Sequence, residues 1–213
     1  MDWEDAVSRL EAGLHGPLPG GAAHALMAPF PRRGWEPGRV PPDAREAGCL
    51  VLLFPDRAIP RFVLTLRPMH LARHAGQVSL PGGAIEPGES VEGAALREAA
   101  EEVGADPDSI RIVGSLTPLH VPVSGFVLRP VVGVAFLRPD LEAREGEVDA
   151  ILEPALADLL DPASLGEETR HLGGSEVRVP FYRLCSRKVW GATAMILSEL
   201  SFVLDPSRAA RGR

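Results

Sequence analysis

Apolar positions recur at helical spacing from the start of the chain. Trp3, Val7, Leu10 and Leu14 fall on one side of a wheel, which predicts a short amphipathic helix over residues 2–14. Residues 16–42 lose that periodicity, and proline and glycine crowd the stretch, so it reads as an irregular arm and not a core element. Its Leu26, Met27, Phe30 and Trp35 need cover, on this chain or on a second subunit. Residues 49–54 form a continuous apolar run that predicts a strand, and a polar turn at 55–60 leads to another strand at 62–66. A short extended piece follows at 78–80. Residues 91–103 place Leu96, Ala99, Ala100 and Val103 on one helical face, with Ser90 as N-cap and Gly104 as left-handed terminator. Strands are expected at 110–116 and 128–137, and a strand then a helix at 147–152 and 155–160. Late strands are expected at 177–182 and 189–190. A closing helix over 192–204 carries Ile196, Leu197, Leu200 and Val203 on a buried stripe. No repeat is found. The expected organisation is an N-terminal helix and Pro/Gly-rich arm (1–47), a main domain (48–205) and a basic tail (206–213).

Composition narrows the function classes. A chain of 213 residues with 45% apolar content can bury one substantial core. Net charge is −7, which argues against a nucleic-acid-binding surface. No apolar run approaches the roughly 18 residues of a membrane span, so no membrane partner is expected. The acidic start Met-Asp-Trp-Glu-Asp is unlike a targeting peptide, and a cytoplasmic location is the expectation. Cys49 and Cys185 both sit in apolar surroundings and are expected to be small buried core residues, not a disulfide. His70 and His74 have helical spacing, but nothing completes a zinc site around them.

The chemistry concentrates on the helix at 91–103. Glu98, Glu101 and Glu102 are spaced three and four residues apart and so share one face. Clustered carboxylates repel one another, and the arrangement makes sense beside a cation. All-oxygen ligands suit hard ions, Mg²⁺ or Mn²⁺ above Zn²⁺. The loop before the helix, with Pro81-Gly82-Gly83 and Pro87-Gly88, can bring backbone carbonyls and a substrate close.

Gly83, Glu89, Arg97, Glu98, Glu101, Glu102 and Gly104 fit the pattern G-x5-E-x7-R-E-U-x-E-E-x-G-U, with Ala99 and Ala105 at the bulky apolar U positions. The string resembles the Nudix box. The resemblance implies an α/β fold, an α/β/α sandwich around a mixed β-sheet with a loop–helix–loop catalytic motif. It implies hydrolysis of a diphosphate joined to another moiety. Glu98 and Glu102 match metal ligands, Glu101 a further ligand or the base, and the Gly83 carbonyl often joins the metal shell. Arg97, counted with the catalytic residues, matches an arginine that pairs with the glutamate at Glu89 as structural support. A bound metal neutralises the diphosphate and activates water, and a nearby carboxylate takes the proton.

Residues 67–77 supply Arg67, His70, Arg73, His74 and Gln77 just before the box. These are cations and donors suited to phosphate, or the makings of an ordinary basic connector. The stretch resembles a further motif of the coenzyme A pyrophosphatase branch of the Nudix family, L-L-T-x-R-(S/A)-x3-R-x3-G-x3-F-P-G-G. Leu64, Thr65, Arg67, Gly76, Pro81, Gly82 and Gly83 match, while Val63, Pro68, Ala72 and Leu80 depart. Ser124-Gly125-Phe126 followed by 130–133, and Trp190-Gly191-Ala192-Thr193-Ala194 followed by Ile196-Leu197, also resemble this branch. The resemblance implies cleavage of coenzyme A to 4′-phosphopantetheine and adenosine 3′,5′-bisphosphate. Arg67, Arg73, His74 and Gln77 would be substrate-binding. The rivals are a Nudix enzyme acting on another nucleoside diphosphate derivative, such as ADP-ribose or NADH, and a non-catalytic nucleotide-binding module. Glu145, Glu147 and Glu153 are candidates for an additional acidic group from a late loop. A homodimer is common among relatives and stays open here.

Overall fold

The computed structural model describes residues 1–69 and 76–208. Arg73 and His74, with His70 and Ala72, lie outside the described residues. The central sheet is mixed. Strand β1 (Arg45–Asp56) runs parallel to β8 (Phe126–Ala135), and β8 is antiparallel to β6 (Ile110–Ser115) and to β7 (Leu119–Val121). On its other edge β1 pairs antiparallel with β2 (Ile59–Phe62) and, further back, with β5 (Gly82–Ala84). A small sheet, β4–β3–β9, joins Val78–Ser79, Leu64–Leu66 and Ala150–Leu152. A third sheet is formed by β10 (Leu165–Leu172), β11 (Ser175–Leu184) and β12 (Arg187–Trp190).

The continuous apolar run in β1 is explained by cover on both faces. Cys49, Val51 and Leu53 point into one core with α1 (Trp3–Leu14), helix α5 (Gly191–Leu204) and the short helix α4 (Leu156–Leu160). Leu50, Leu52 and Phe54 point into another, against Ala95, Ala99 and Val103 of α3 (Val91–Val103). Burying each large aliphatic side chain contributes roughly 1.5–3 kcal/mol. Two cores on one sheet make the α/β/α sandwich. Helix α3 lies nearly on the backbone of β1: a Cβ at Gly48 would stand 2.8 Å from the Val91 carbonyl oxygen and 3.0 Å from the Ala95 nitrogen. That closeness explains the alanines on its packed face, including Ala99 where a bulkier residue was expected. Ser90 Oγ caps the helix by accepting from the Gly93 N–H at 3.0 Å, and Gly104 ends it at φ 67°. Among the described residues no helix is long and apolar enough to cross a membrane.

The structure corrects several expectations. The Pro/Gly-rich arm contains a helix, α2 (Gly20–Leu26), packed on α5 with Ala23, His24 and Met27 buried. What holds it is tertiary. Glu199 on α5 is fully buried and accepts from the Gly20 N–H (3.0 Å), the Thr117 N–H (3.0 Å) and the Thr117 hydroxyl (2.6 Å). The oxygen that accepts from the Thr117 N–H, Oε2, also meets His24 Nε2 at 3.0 Å. Burial pushes this carboxyl up, but the bonds from His24 and Thr117 outweigh it and hold it below the usual carboxylate value. Beyond the helix, Phe30 exchanges two backbone hydrogen bonds with Arg178 of β11, at 2.9 and 2.8 Å. Strand β1 begins at Arg45, Gly82–Ala84 is a strand and not a loop, and β7 and β10 were not anticipated. Helix α5 is buried nearly all round and not along one stripe. Cys49 is buried as expected, but Cys185 is exposed. With Ser186 it makes the two-residue turn between β11 and β12, at φ 47° and 59°.

Candidate active site

Three elements meet at the N-terminal half of β1. Strand β5 pairs Gly83 opposite Gly48, which seats Gly82-Gly83 beside the carboxylate face of α3. Glu98 presses directly on this pair. A Cβ at Gly83 would lie 2.2 Å from Glu98 Oε1 and 2.6 Å from Oε2, so glycine is required for the carboxylate to reach the strand. Glu102 approaches the same pair from the next turn, and its Oε2 accepts from the Gly82 N–H at 3.3 Å. The two carboxylates Glu98 and Glu102 therefore flank a bare stretch of backbone.

Arg97 organises the remaining acids. It forms a two-point pair with Glu89, from Nε at 2.9 Å and Nη2 at 3.2 Å, and donates to the Ala84 carbonyl at 3.1 Å. Its Nη1 reaches Glu98 at 2.9 Å and Glu101 at 3.3 Å. The hydrogen bond from Arg97, then that from the Glu86 N–H, holds Glu89 below its usual value. Glu101 is the open member, with 48% of its side chain exposed against 18% for Glu98. Glu102 is buried, and its carboxyl is pushed up to about 7. Burial is the main cause. The Gly82 N–H and Arg67 oppose it, and the charges of Glu98 and Glu147 reinforce it. Among the described residues no three His, Cys, Asp or Glu side chains converge around one point. Arg97 draws Glu98 and Glu101 to itself while Glu102 turns under Gly82.

A cleft of about 750 Å³ opens onto Gly82-Gly83. Arg67 and Gln77 line it beside the glycines, and the Arg67 N–H donates to the Gln77 carbonyl at 3.0 Å. The Arg67 Nε is buried and has no hydrogen-bond partner among the described residues. The far walls come from Val123 and Phe126 around the β7–β8 turn, from Trp190 and Gly191 at the start of α5, and from the arm. Arg73 and His74, the other expected substrate-binding residues, fall outside the described residues. Of the additional acids, Glu147 is the one whose charge acts on Glu102, whereas Glu153 is bound to Arg138 at 2.8 Å and Glu145 is exposed. The reading of the sequence missed Arg32 and Arg33, which line the cleft from the arm. No periodicity pointed to them, because their place depends on contacts made by α2 and Phe30.

A paired-carboxylate helix is laid against a glycine strand that opens onto a cleft lined by arginines. The NUDIX domain family matches residues 43–176, and the chain belongs to that family. It is 39% identical over 166 residues to a Shigella flexneri protein named "Uncharacterized Nudix hydrolase NudL", covering 76% of this chain and 84% of that one. It is 40% identical over 160 residues to the protein of the same name from Escherichia fergusonii, covering 74% and 81%. Among solved structures it is similar to a NUDIX hydrolase from Nitrosomonas europaea, at 15% identity and a TM-score of 0.49, covering 82% of this chain and 76% of that one.

Proposed function

We propose that this protein is a divalent-metal-dependent hydrolase that cleaves the diphosphate of coenzyme A and its derivatives, yielding 4′-phosphopantetheine and adenosine 3′,5′-bisphosphate. The observation that carries the reading is the meeting of Glu98 and Glu102 with Gly82-Gly83, glycines that line the cleft together with Arg67, whose Nε has no hydrogen-bond partner among the described residues. The donor set fits a hard cation. Two carboxylates abut a strand with no intervening side chain, and the buried Glu102 lies beside the charge of Glu98, so the oxygens gathered there carry excess negative charge. Glu98 and Glu102, with Glu101 and the Gly83 carbonyl, would hold Mg²⁺ or Mn²⁺. Bound there, the ion would neutralise the diphosphate and lower the pKa of a water.

The chain's own residues do the rest. Arg67 binds diphosphate oxygens through a guanidinium whose Nε has no partner among the described residues. Glu101, the most exposed of the three acids and steadied by Arg97, accepts the proton of the attacking water. Arg97 and Glu89 lock the helix to its entry loop, so the carboxylates do not drift. The choice of coenzyme A over other diphosphates rests on the resemblance of residues 63–83, 124–133 and 190–197 to the coenzyme A pyrophosphatase branch.

Steady-state kinetics of three variants test it. Glu98→Gln and Glu102→Gln are expected to lower kcat on coenzyme A on the order of 100-fold or more. Full turnover in either removes the metal assignment. Arg67→Ala is expected to raise KM for coenzyme A more than for a small diphosphate, and equal effects on both would remove the anchor role.

A further inference from the structure

The chain carries a net charge of −7, yet the cleft is lined by Arg32, Arg33 and Arg67 and by no Asp or Glu among the described residues. Arg67 enters beside the glycine strand. Arg32 enters from the arm, outside the 43–176 segment that defines the family. We propose that Arg32 is a specificity-determining residue that binds a second anionic group of the substrate, a phosphomonoester separate from the diphosphate held at Arg67. The inference rests on reading the cleft as the substrate site.

Three features place a ligand there. First, Arg32 is only partly exposed and has no carboxylate or backbone oxygen partner among the described residues. Its contacts are the Met195 sulfur, 2.8 Å from Nη1, and the Trp35 ring, 5.5 Å from the guanidinium carbon. A thioether is a weak acceptor, so most of the five guanidinium donors are left for a ligand in the cleft. Burial lowers its ionisation to about 10, which still leaves it cationic at neutral pH. A planar fork with free donors matches two oxygens of a phosphomonoester. Second, the arm that presents Arg32 is fixed before any ligand arrives. Met27 is buried, Phe30 is paired to β11 by two backbone bonds, and α2 is tied to Glu199 by His24 and Gly20. A rigid support keeps the ordering cost of binding low. Third, α5 begins in the same cleft, with Gly191 to Thr193 on its wall, and no side chain caps its first turn. Its free N–H groups add to the positive potential that Arg32 and Arg33 supply.

Coenzyme A carries such a group at the ribose 3′ position, and dephospho-coenzyme A lacks it. Calorimetric titration of metal-free protein with adenosine 3′,5′-bisphosphate and with AMP tests the contact without turnover. Wild type is expected to bind the bisphosphate about tenfold or more tighter, from hydrogen bonds to a charged group. That ratio should fall towards one in Arg32→Ala and stand between in Arg32→Lys, which keeps the charge but loses the fork. The kcat/KM ratio of coenzyme A to dephospho-coenzyme A should follow the same order. Equal binding of the two nucleotides by wild type, or an undiminished ratio in Arg32→Ala, overturns the proposal. The wild-type comparison needs no variant, so a misfolded substitution cannot hide the answer. Cleavage of coenzyme A without Arg32-dependent discrimination defeats this inference and leaves the proposed activity standing. Arg32-dependent preference without cleavage of coenzyme A supports the inference and defeats the activity.

Discussion

Glu102 shows most directly how one side chain carries the tension of the site. It is buried by the packing of α3 on β1, beside Glu98, with one backbone N–H for compensation. Its carboxyl titrates near 7 in the folded chain against an ordinary value of 4.5. The sign follows from linkage. Below about 4.5 the group is neutral in both states and costs nothing. Between about 4.5 and about 7 the folded state holds a proton that the unfolded state has lost, so stability declines as pH rises through that window. With chelator present, Glu102→Gln should therefore be more stable than wild type near pH 8, by up to roughly 3 kcal/mol, and the gap should close towards pH 4. Denaturant midpoints across that range check it, and a gap independent of pH would refute the assigned cause. That Glu98, Glu101 and Glu102 share one face was legible from spacing alone, because a helix face is a local property, whereas their separate roles were implied only by the resemblance. Their exposures were not legible, because these depend on where Gly82-Gly83 comes to rest.

At the scale of elements, α3 and the arm make the contrast. Ser90, Gly104 and the apolar face of α3 are all encoded within fifteen or so residues, and the helix runs Val91–Val103 as those signals require. Helix α2 has no such signals. Its sequence is Gly20-Gly21-Ala22-Ala23-His24-Ala25-Leu26, its N-cap Pro19 supplies no side-chain bond, and it exists because Glu199, 175 residues from His24, gathers its donors. Removing that acceptor strands the buried His24 imidazole and Gly20 N–H, and the part-buried N–H and hydroxyl of Thr117. Glu199→Ala is expected to cost about 3–5 kcal/mol and to loosen residues 16–35, measurable as a lower Tm and faster amide exchange confined first to that segment. Unchanged exchange there would deny Glu199 its clamp role. The β11–β12 turn was unreadable for a different reason. Cys185 and Ser186 adopt positive φ where Asn-Gly would be the usual signal.

At the scale of the whole molecule, the cleft assembles residues from the arm, β3–β4, β5, the β7–β8 turn, β11 and the start of α5. Nothing in a linear reading brings Arg32, Arg67 and Trp190 to one cavity, because each arrives by long-range packing. The sandwich itself was legible once residues 83–104 had been matched to the Nudix box, since the box brings its fold with it. The account stands or falls on what the cleft admits. The decisive measurement is a substrate panel with purified protein and Mg²⁺ or Mn²⁺: coenzyme A, acetyl-coenzyme A, ADP-ribose, NADH and a deoxynucleoside triphosphate, with products identified by mass. The account predicts 4′-phosphopantetheine and adenosine 3′,5′-bisphosphate from coenzyme A, with kcat/KM about tenfold or more above the non-coenzyme substrates, or about 1.4 kcal/mol of transition-state discrimination. Preference for ADP-ribose, NADH or the triphosphate would contradict it, and so would silence across the panel.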